Sequence, residues 1–384
     1  MKYFPRFYDN LEKYLKPNKV LVIYGPRQVG KTTLLKNFLS KTKLRYRFDF
    51  GEDIRIQEVL SSCDFSLIKE YASGYELIVI DEAQHIPKIG LGLKILVDQA
   101  PKIKVIVSGS SSFELVGQIG EPLVGRKKTL ILFPLAQIEL RKIFNLFELK
   151  EKLSEFLIFG TYPAVLTAKT KKEKREILEE IAFSYLLKDV FQFEKIKAPR
   201  FLFDLLKLLA FQIGSEVSLS ELANSLKIDV KTVARYLDIL EKSFVIFSLR
   251  GFSRNLRKEI TKKNKYYFYD NGIRNALIAN FNDLKLRNDL GQLWENFLVI
   301  ERIKSQRYLE IPANNYFWRT WDQKEIDFLE ERKDKLFAFE FKYSPQKIKV
   351  PKEFIKTYPN SHFKLITKEN YLKFLGVNKE HSNI

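Results

Sequence analysis

The chain has 384 residues, is 45% hydrophobic and 14% aromatic, and carries a formal net charge of +19. This excludes a disordered polypeptide and leaves ample chain for more than one core. Its single cysteine, Cys63, excludes an intramolecular disulfide and fits a reducing, cytoplasmic setting, and no apolar run approaches the roughly 18 residues of a membrane span. The positive excess favours a polyanionic partner such as nucleic acid. Lysine is abundant throughout, so charge alone decides little.

Residues 1–19 read as a short helix, with Arg6 facing either a bound nucleotide or solvent. The apolar run Val20 to Tyr24 reads as a strand and Thr33 to Lys41 as a helix. Between them, Gly25-Pro26-Arg27-Gln28-Val29-Gly30-Lys31-Thr32, followed by Thr33, matches G-x-x-x-x-G-K-[ST] at every position. The two glycines let successive N–H groups face inward as an anion nest, and the helix start adds its positive dipole end. Lys31 would reach the β- and γ-phosphates of ATP, and the Thr32 hydroxyl would hold Mg²⁺.

Arg45 to Phe50 alternates as a second strand. Leu77 to Asp81 is a continuous apolar run ending in an acid, the pattern of a strand buried on both faces of a parallel sheet. Asp81 would hold the Mg²⁺ water shell, and Glu82 would polarise the attacking water. Gln84 and His85 either line the site or simply begin a helix. Val105-Ile106-Val107 ends in Ser108-Gly109-Ser110-Ser111, where Ser110, or Ser108, could sense the γ-phosphate. Gly125-Arg126 precedes a strand over Thr129 to Phe133, and Arg126 could serve a neighbouring subunit's nucleotide in a homo-oligomer.

Further on, Ser218 to Ala223 opens a short helix, Leu226 to Asp229 turns, and Val230 to Lys242 forms a longer helix with Asp229 as its cap. Val230, Val233, Ala234, Leu237 and Leu240 share one face, and Lys231, Thr232, Arg235 and Asp238 fall outside it. Two helices on a tight turn form a helix-turn-helix, strands follow at Phe244 to Leu249 and Lys265 to Tyr269, and Arg250 to Lys265 carries seven Lys/Arg and one Glu, the composition of a basic wing. DNA binding and protein packing are both open to such a module.

In the last third, Leu293 to Ile300 reads as an amphipathic helix, and Glu325 to Leu329 and Leu336 to Lys342 as a hairpin. A turn at Lys333-Asp334 sets Asp327 opposite Glu340, with the two Cβ atoms roughly 5 Å apart. Glu340 and Lys342 then share a face, opposed acids call for a cation between them, and Glu295 could add a third acid. Pro351 to Ile384 continues αβ spacing and frays into a polar tail.

The set GPRQVGKTTLL, IDEAQ, SGSSSFEL, Leu123-Val-Gly-Arg126 and FGTYPAVL at 159–166 resembles a prokaryotic AAA+ ATPase family with a C-terminal helix-turn-helix and a nuclease-like domain. The set Glu295, Asp327 and Glu340-x-Lys342 resembles the PD-(D/E)xK nuclease signature. These resemblances imply an α/β chain: a P-loop AAA+ parallel-sheet core at 1–135, a helical lid at 136–198, a winged helix-turn-helix at 199–278 and a nuclease-like domain at 279–384. They also imply ATP and Mg²⁺ as cofactors, DNA as partner, and Glu295, Asp327 and Glu340 as ligands of a second metal beside Lys342.

Overall fold

The computed structural model describes residues 3–109, 120, 122–185, 199–254, 263–320, 323–348 and 350–377. It divides into two compact units, one built mainly from residues before Leu135 and the other mainly from Leu135 onward.

The first unit runs β1 (Val20–Tyr24), α1 (Lys31–Leu39), β2 (Tyr46–Phe50), α2 (Ile54–Ser61), α3 (Phe65–Ala72), β3 (Leu77–Asp81), α4 (Ile89–Gln99), β4 (Lys104–Gly109) and β5 (Lys127–Ile131). The sheet order is β2-β3-β4-β1-β5, and every neighbouring pair is parallel. β3 is buried at every residue, as its unbroken apolar run requires, because helices cover both faces of such a sheet. Val20, Val22, Ile78, Ile80, Val105 and Val107 share one core with Ile56, Leu60, Ile68 and Leu93 of the surrounding helices. Each such side chain contributes about 1.5–3 kcal/mol when taken from water. β2 is one of the two edge strands, and there the alternating sequence leaves Tyr46 and Phe50 exposed.

The second unit opens with five short helices, α5 (Gln137–Leu140), α6 (Leu146–Glu151), α7 (Leu153–Phe159), α8 (Pro163–Thr167) and α9 (Lys171–Glu180). The break at 160–162 has a physical cause. Gly160 ends α7 at φ +69°, and a Cβ there would lie 1.9 Å from an oxygen of Asp270. Then come α10 (Pro199–Phe211), β6 (Glu216–Val217), α11 (Leu219–Leu226), α12 (Val230–Lys242), β7 (Ile246–Gly251), β8 (Asn264–Phe268) and α13 (Asn271–Leu277). Asp270 caps α13 through the N–H groups of Gly272 and Ile273 and also accepts from Thr161 N at 2.7 Å. The remainder is α14 (Leu290–Tyr308), β9 (Asn314–Arg319), β10 (Glu325–Arg332), β11 (Lys335–Phe341), α15 (Lys352–Thr357), β12 (His362–Ile366) and α16 (Tyr371–Phe374). The polar tail at 378–384 lies outside the described residues.

Strands expected in two separate segments share one seven-stranded sheet, β12-β11-β10-β9-β7-β8-β6. β7 joins β9 in parallel over two residue pairs. α14 corrects a second expectation. From Leu293 to Gln306 all but Glu295 are buried, so the helix is not simply amphipathic. Its internal charges are paired instead: Arg302 with Glu330, and Lys304 with Glu301 at 2.7 Å.

Candidate functional site

The glycine loop joins β1 to α1 at the carboxyl edge of the parallel sheet, where α/β folds bind ligands. Gly25 is obligatory by sterics: a Cβ would lie 2.0 Å from the Leu132 carbonyl oxygen. Gln28 and Gly30 adopt φ of +60° and +95°, which curls the loop into the start of α1. Pro26 and Val29 are buried, Arg27 is half-buried, and Gln28 and Thr33 are exposed. Lys31 is buried, and its Nζ donates to the carbonyls of Gly25 and Pro26, both at 2.9 Å.

Below the loop, Thr32 Oγ1 donates to Asp81 Oδ2 at 2.6 Å, and the Ser108 hydroxyl donates to Asp81 Oδ1. Glu82 sits at φ +52°, and its carboxylate accepts from Gln84 Nε2 at 2.5 Å. Gly51 makes room for this turn, since a Cβ there would meet the Glu82 carbonyl oxygen at 2.3 Å. Hydroxyl, paired acids and ammonium thus converge at one sheet edge, the donor set that suits Mg²⁺ and a triphosphate.

Three sequence expectations are refined here. Ser110 lies outside the described residues, whereas Ser108, the second choice, is buried against Asp81. Arg6 does not face solvent. It is buried and donates to Val29 O at 2.8 Å and Phe133 O at 2.6 Å, bracing the loop from behind. Arg126 stands just before β5, whose Lys127 pairs with Val20. That is the edge opposite the glycine loop, a strand length of roughly 16 Å away. Arg126 binds Asp98 at 2.8 Å and cannot serve its own site from there.

Gln84, which sequence spacing left between the site and a helix start, lies against Glu82. The turn after Glu82 folds its amide back onto that carboxylate.

The helix pair α11–α12 forms where expected. Ser218 caps α11, and Asp229 caps α12 through Thr232 N at 2.8 Å. The buried face of α12 is rotated from the expected one: Val233, Tyr236, Leu237, Ile239 and Leu240 are inside, while Val230 and Ala234 are exposed. Aromatic Tyr236 displaces the smaller Ala234 from the core because it buries far more apolar area. Lys231 and Arg235 point outward as expected. The centre of the basic stretch, 255–262, lies outside the described residues, and Lys265 at its end is only 1% exposed.

The hairpin register matches the expectation. Phe328 faces Phe339 and Leu329 faces Ala338, and just beyond this ladder Asp327 feels the charge of Glu340. Asp327 Oδ2 accepts from Phe341 N at 2.7 Å, and Lys342 Nζ binds Glu340 Oε1 at 2.8 Å. Burial first, and then the nearby charges of Glu295 and Glu340, push Asp327 well above the ordinary carboxylate range. Glu295 is otherwise engaged. Its Oε1 accepts from Lys265 Nζ at 3.1 Å and from the Tyr267 hydroxyl at 2.7 Å. Lys265 also binds Glu325, which Arg319 approaches at 3.6 Å. Burial alone would lower the Lys265 pKa, but Glu295, Glu325 and Asp327 more than reverse it. Among the described residues no three His, Cys, Asp or Glu side chains are arranged to hold a metal. The acids of the expected ligand set, Glu295, Asp327 and Glu340, are neighbours, and each is bound to a donor of the chain.

Comparison with known proteins finds a described family over the segment that holds the first of these two sites. Residues 17–141 match the AAA domain family. That segment is similar to an AAA domain. Residues 150–285 match a domain of unknown function (DUF8612), and residues 290–376 match another (DUF4143). An uncharacterized protein of Mycobacterium tuberculosis is 29% identical over 335 residues, covering 86% of this chain and 72% of that one. An uncharacterized protein of Haemophilus influenzae is 26% identical over 97% of this chain and 92% of its own length. Among solved structures, a signal transduction ATPase with numerous domains from Pyrococcus horikoshii, which bears a tetratricopeptide repeat sensor, is 17% identical with a TM-score of 0.27. It aligns over 76% of this chain, which spans only 44% of that structure. No described helix is long and apolar enough to cross a membrane.

Proposed function

We propose that the chain is a Mg²⁺-dependent ATP hydrolase that works on or with DNA. The observation that carries the reading is the line from Thr32 through Asp81 to Ser108 directly below the glycine loop. Lys31 and the loop N–H groups would grip the phosphates, and Thr32 and Asp81 would hold Mg²⁺, which neutralises phosphate charge when bound. Glu82 would accept a proton from the water that attacks the γ-phosphorus as the bond to ADP breaks. Gln84 fixes one Glu82 oxygen and leaves the other for that proton. Ser108 orients Asp81, as a metal's outer partners do.

The order of α10, β6, α11, α12, β7 and β8, with β8 pairing antiparallel to both β6 and β7, supports a winged helix at 199–278. Its outward Lys231 and Arg235 suit DNA phosphates. The α/β hairpin region supports a nuclease-like fold at 279–384. The pairing of its acids with Lys265 and Lys342 favours a role in gripping DNA or a partner over cleaving it. A homo-oligomer would give Arg126 a neighbour's nucleotide to act on.

Phosphate release with Mg²⁺, with and without duplex DNA, tests the reading. Wild type should turn over ATP and respond to DNA, and Glu82→Gln should bind ATP without hydrolysing it. Unchanged hydrolysis in Glu82→Gln would reject the assignment.

A further inference from the structure

The Mg²⁺ implied by the nuclease resemblance does not fit the residues as they stand, and the reason is a lysine from outside the signature. We infer that Lys265 is the resident cation of the C-terminal acid pocket, occupying the place of a divalent metal, and that removing it opens the pocket to one.

Lys265 and Tyr267 stand two residues apart on β8, so period two turns both to one side. Both donate to the same oxygen, Glu295 Oε1. The ammonium also binds Glu325, and Arg319 approaches that acid from β9. Each acid of the expected ligand set has an oxygen committed to a donor of the chain: Glu295 to Lys265 and Tyr267, Asp327 to Phe341 N, and Glu340 to Lys342. The groups facing one another are the acids Glu295, Glu325, Asp327 and Glu340 and the cations Lys265, Lys342 and Arg319. Lys265 and Lys342 already offset acids of the cluster, and Arg319 is shared between Glu325 and Glu216, so a dication entering would find carboxylates that are already engaged by cations. An ammonium this deeply buried survives only inside such a cluster, because desolvating it unpaired is prohibitive. Excluding metal and retaining Lys265 are thus one property of the pocket.

The inference rests on the nuclease-like reading for the choice of acids. That reading stands or falls separately, by whether Lys342→Ala weakens retention of duplex DNA.

The test uses the full chain without nucleotide in an Asp81→Asn background, which silences the ATP-site metal position. Mn²⁺ binding is followed by calorimetry, and the unfolding midpoint is read in EDTA and in Mn²⁺. With Lys265 present, saturable binding at the pocket should be absent and the midpoint indifferent to Mn²⁺. With Lys265→Met added, one Mn²⁺ should bind at least about tenfold more tightly, and Mn²⁺ should raise the midpoint by about 4 °C. If Lys265→Met fails to fold, Lys265→Met with Glu325→Gln removes the ammonium and one acid together and should show the same gain. Saturable binding with Lys265 in place that is lost in Asp327→Asn would overturn the inference. So would a folded Lys265→Met or double variant that binds Mn²⁺ no better than its parent.

Discussion

The ATP site and the C-terminal pocket each gather carboxylates near a lysine, yet they use charge in opposite ways. In the first, Asp81 is held by the hydroxyls of Thr32 and Ser108, while the ammonium of Lys31 rests on neutral carbonyls. Neutral donors orient an acid without spending its charge, so the Asp81 carboxylate keeps its negative charge for a metal. In the second, ammonium meets carboxylate directly, Lys265 on Glu295 and Glu325, and Lys342 on Glu340. There the charges satisfy one another. The same residue types therefore form a reactive site or a structural one according to which partner each charge finds.

The contrast is broken most sharply at Lys31. Lys31→Ala should lower ATP turnover by roughly 10²–10³-fold in a phosphate-release assay, since it removes the cation aimed at transferred charge. Retained turnover would put Lys31 in the same structural class as Lys265.

Asp270 sharpens the comparison as an acid that is fully buried with backbone N–H donors. Desolvation first raises its pKa to about 6, against the opposing charge of Lys304. The folded state therefore holds this proton more tightly than the unfolded one. The resulting stability is full below the unfolded value of 3.8 and is lost as pH rises towards about 6. Integrated over that window the loss is about 3 kcal/mol. Asp270→Asn should abolish this component, read as the difference between the two proteins' unfolding free energies from pH 4 to pH 7. Parallel curves would show that Asp270 is ionised throughout.

Ser108→Ala should raise the Mg²⁺ concentration needed for half-maximal hydrolysis by about 10–100-fold, with the protein's unfolding midpoint little changed. No shift would mean that Thr32 and the Glu82 N–H position Asp81 without Ser108. The smallest effect belongs to the outward face of α12. Lys231→Ala and Arg235→Ala should each weaken DNA retention a few-fold and reduce the salt slope by about one, if each meets one phosphate.

Local pattern determined much of this protein. The glycine loop, the apolar strand ending in Asp81, the Asp229 cap and the β10–β11 register all follow from spacing over a few residues, because strand period, turn chemistry and loop sterics act at that range. Only the tertiary structure decided what distant partners do to a charge. Lys265 looks like part of a basic wing until β8 carries it to Glu295, and Arg6 looks like a surface arginine until it braces Val29 and Phe133. The α12 face likewise turned on which of Tyr236 and Ala234 the core could accommodate. Burial and long-range pairing set the worth of each ion, and neither is written in the residues beside it.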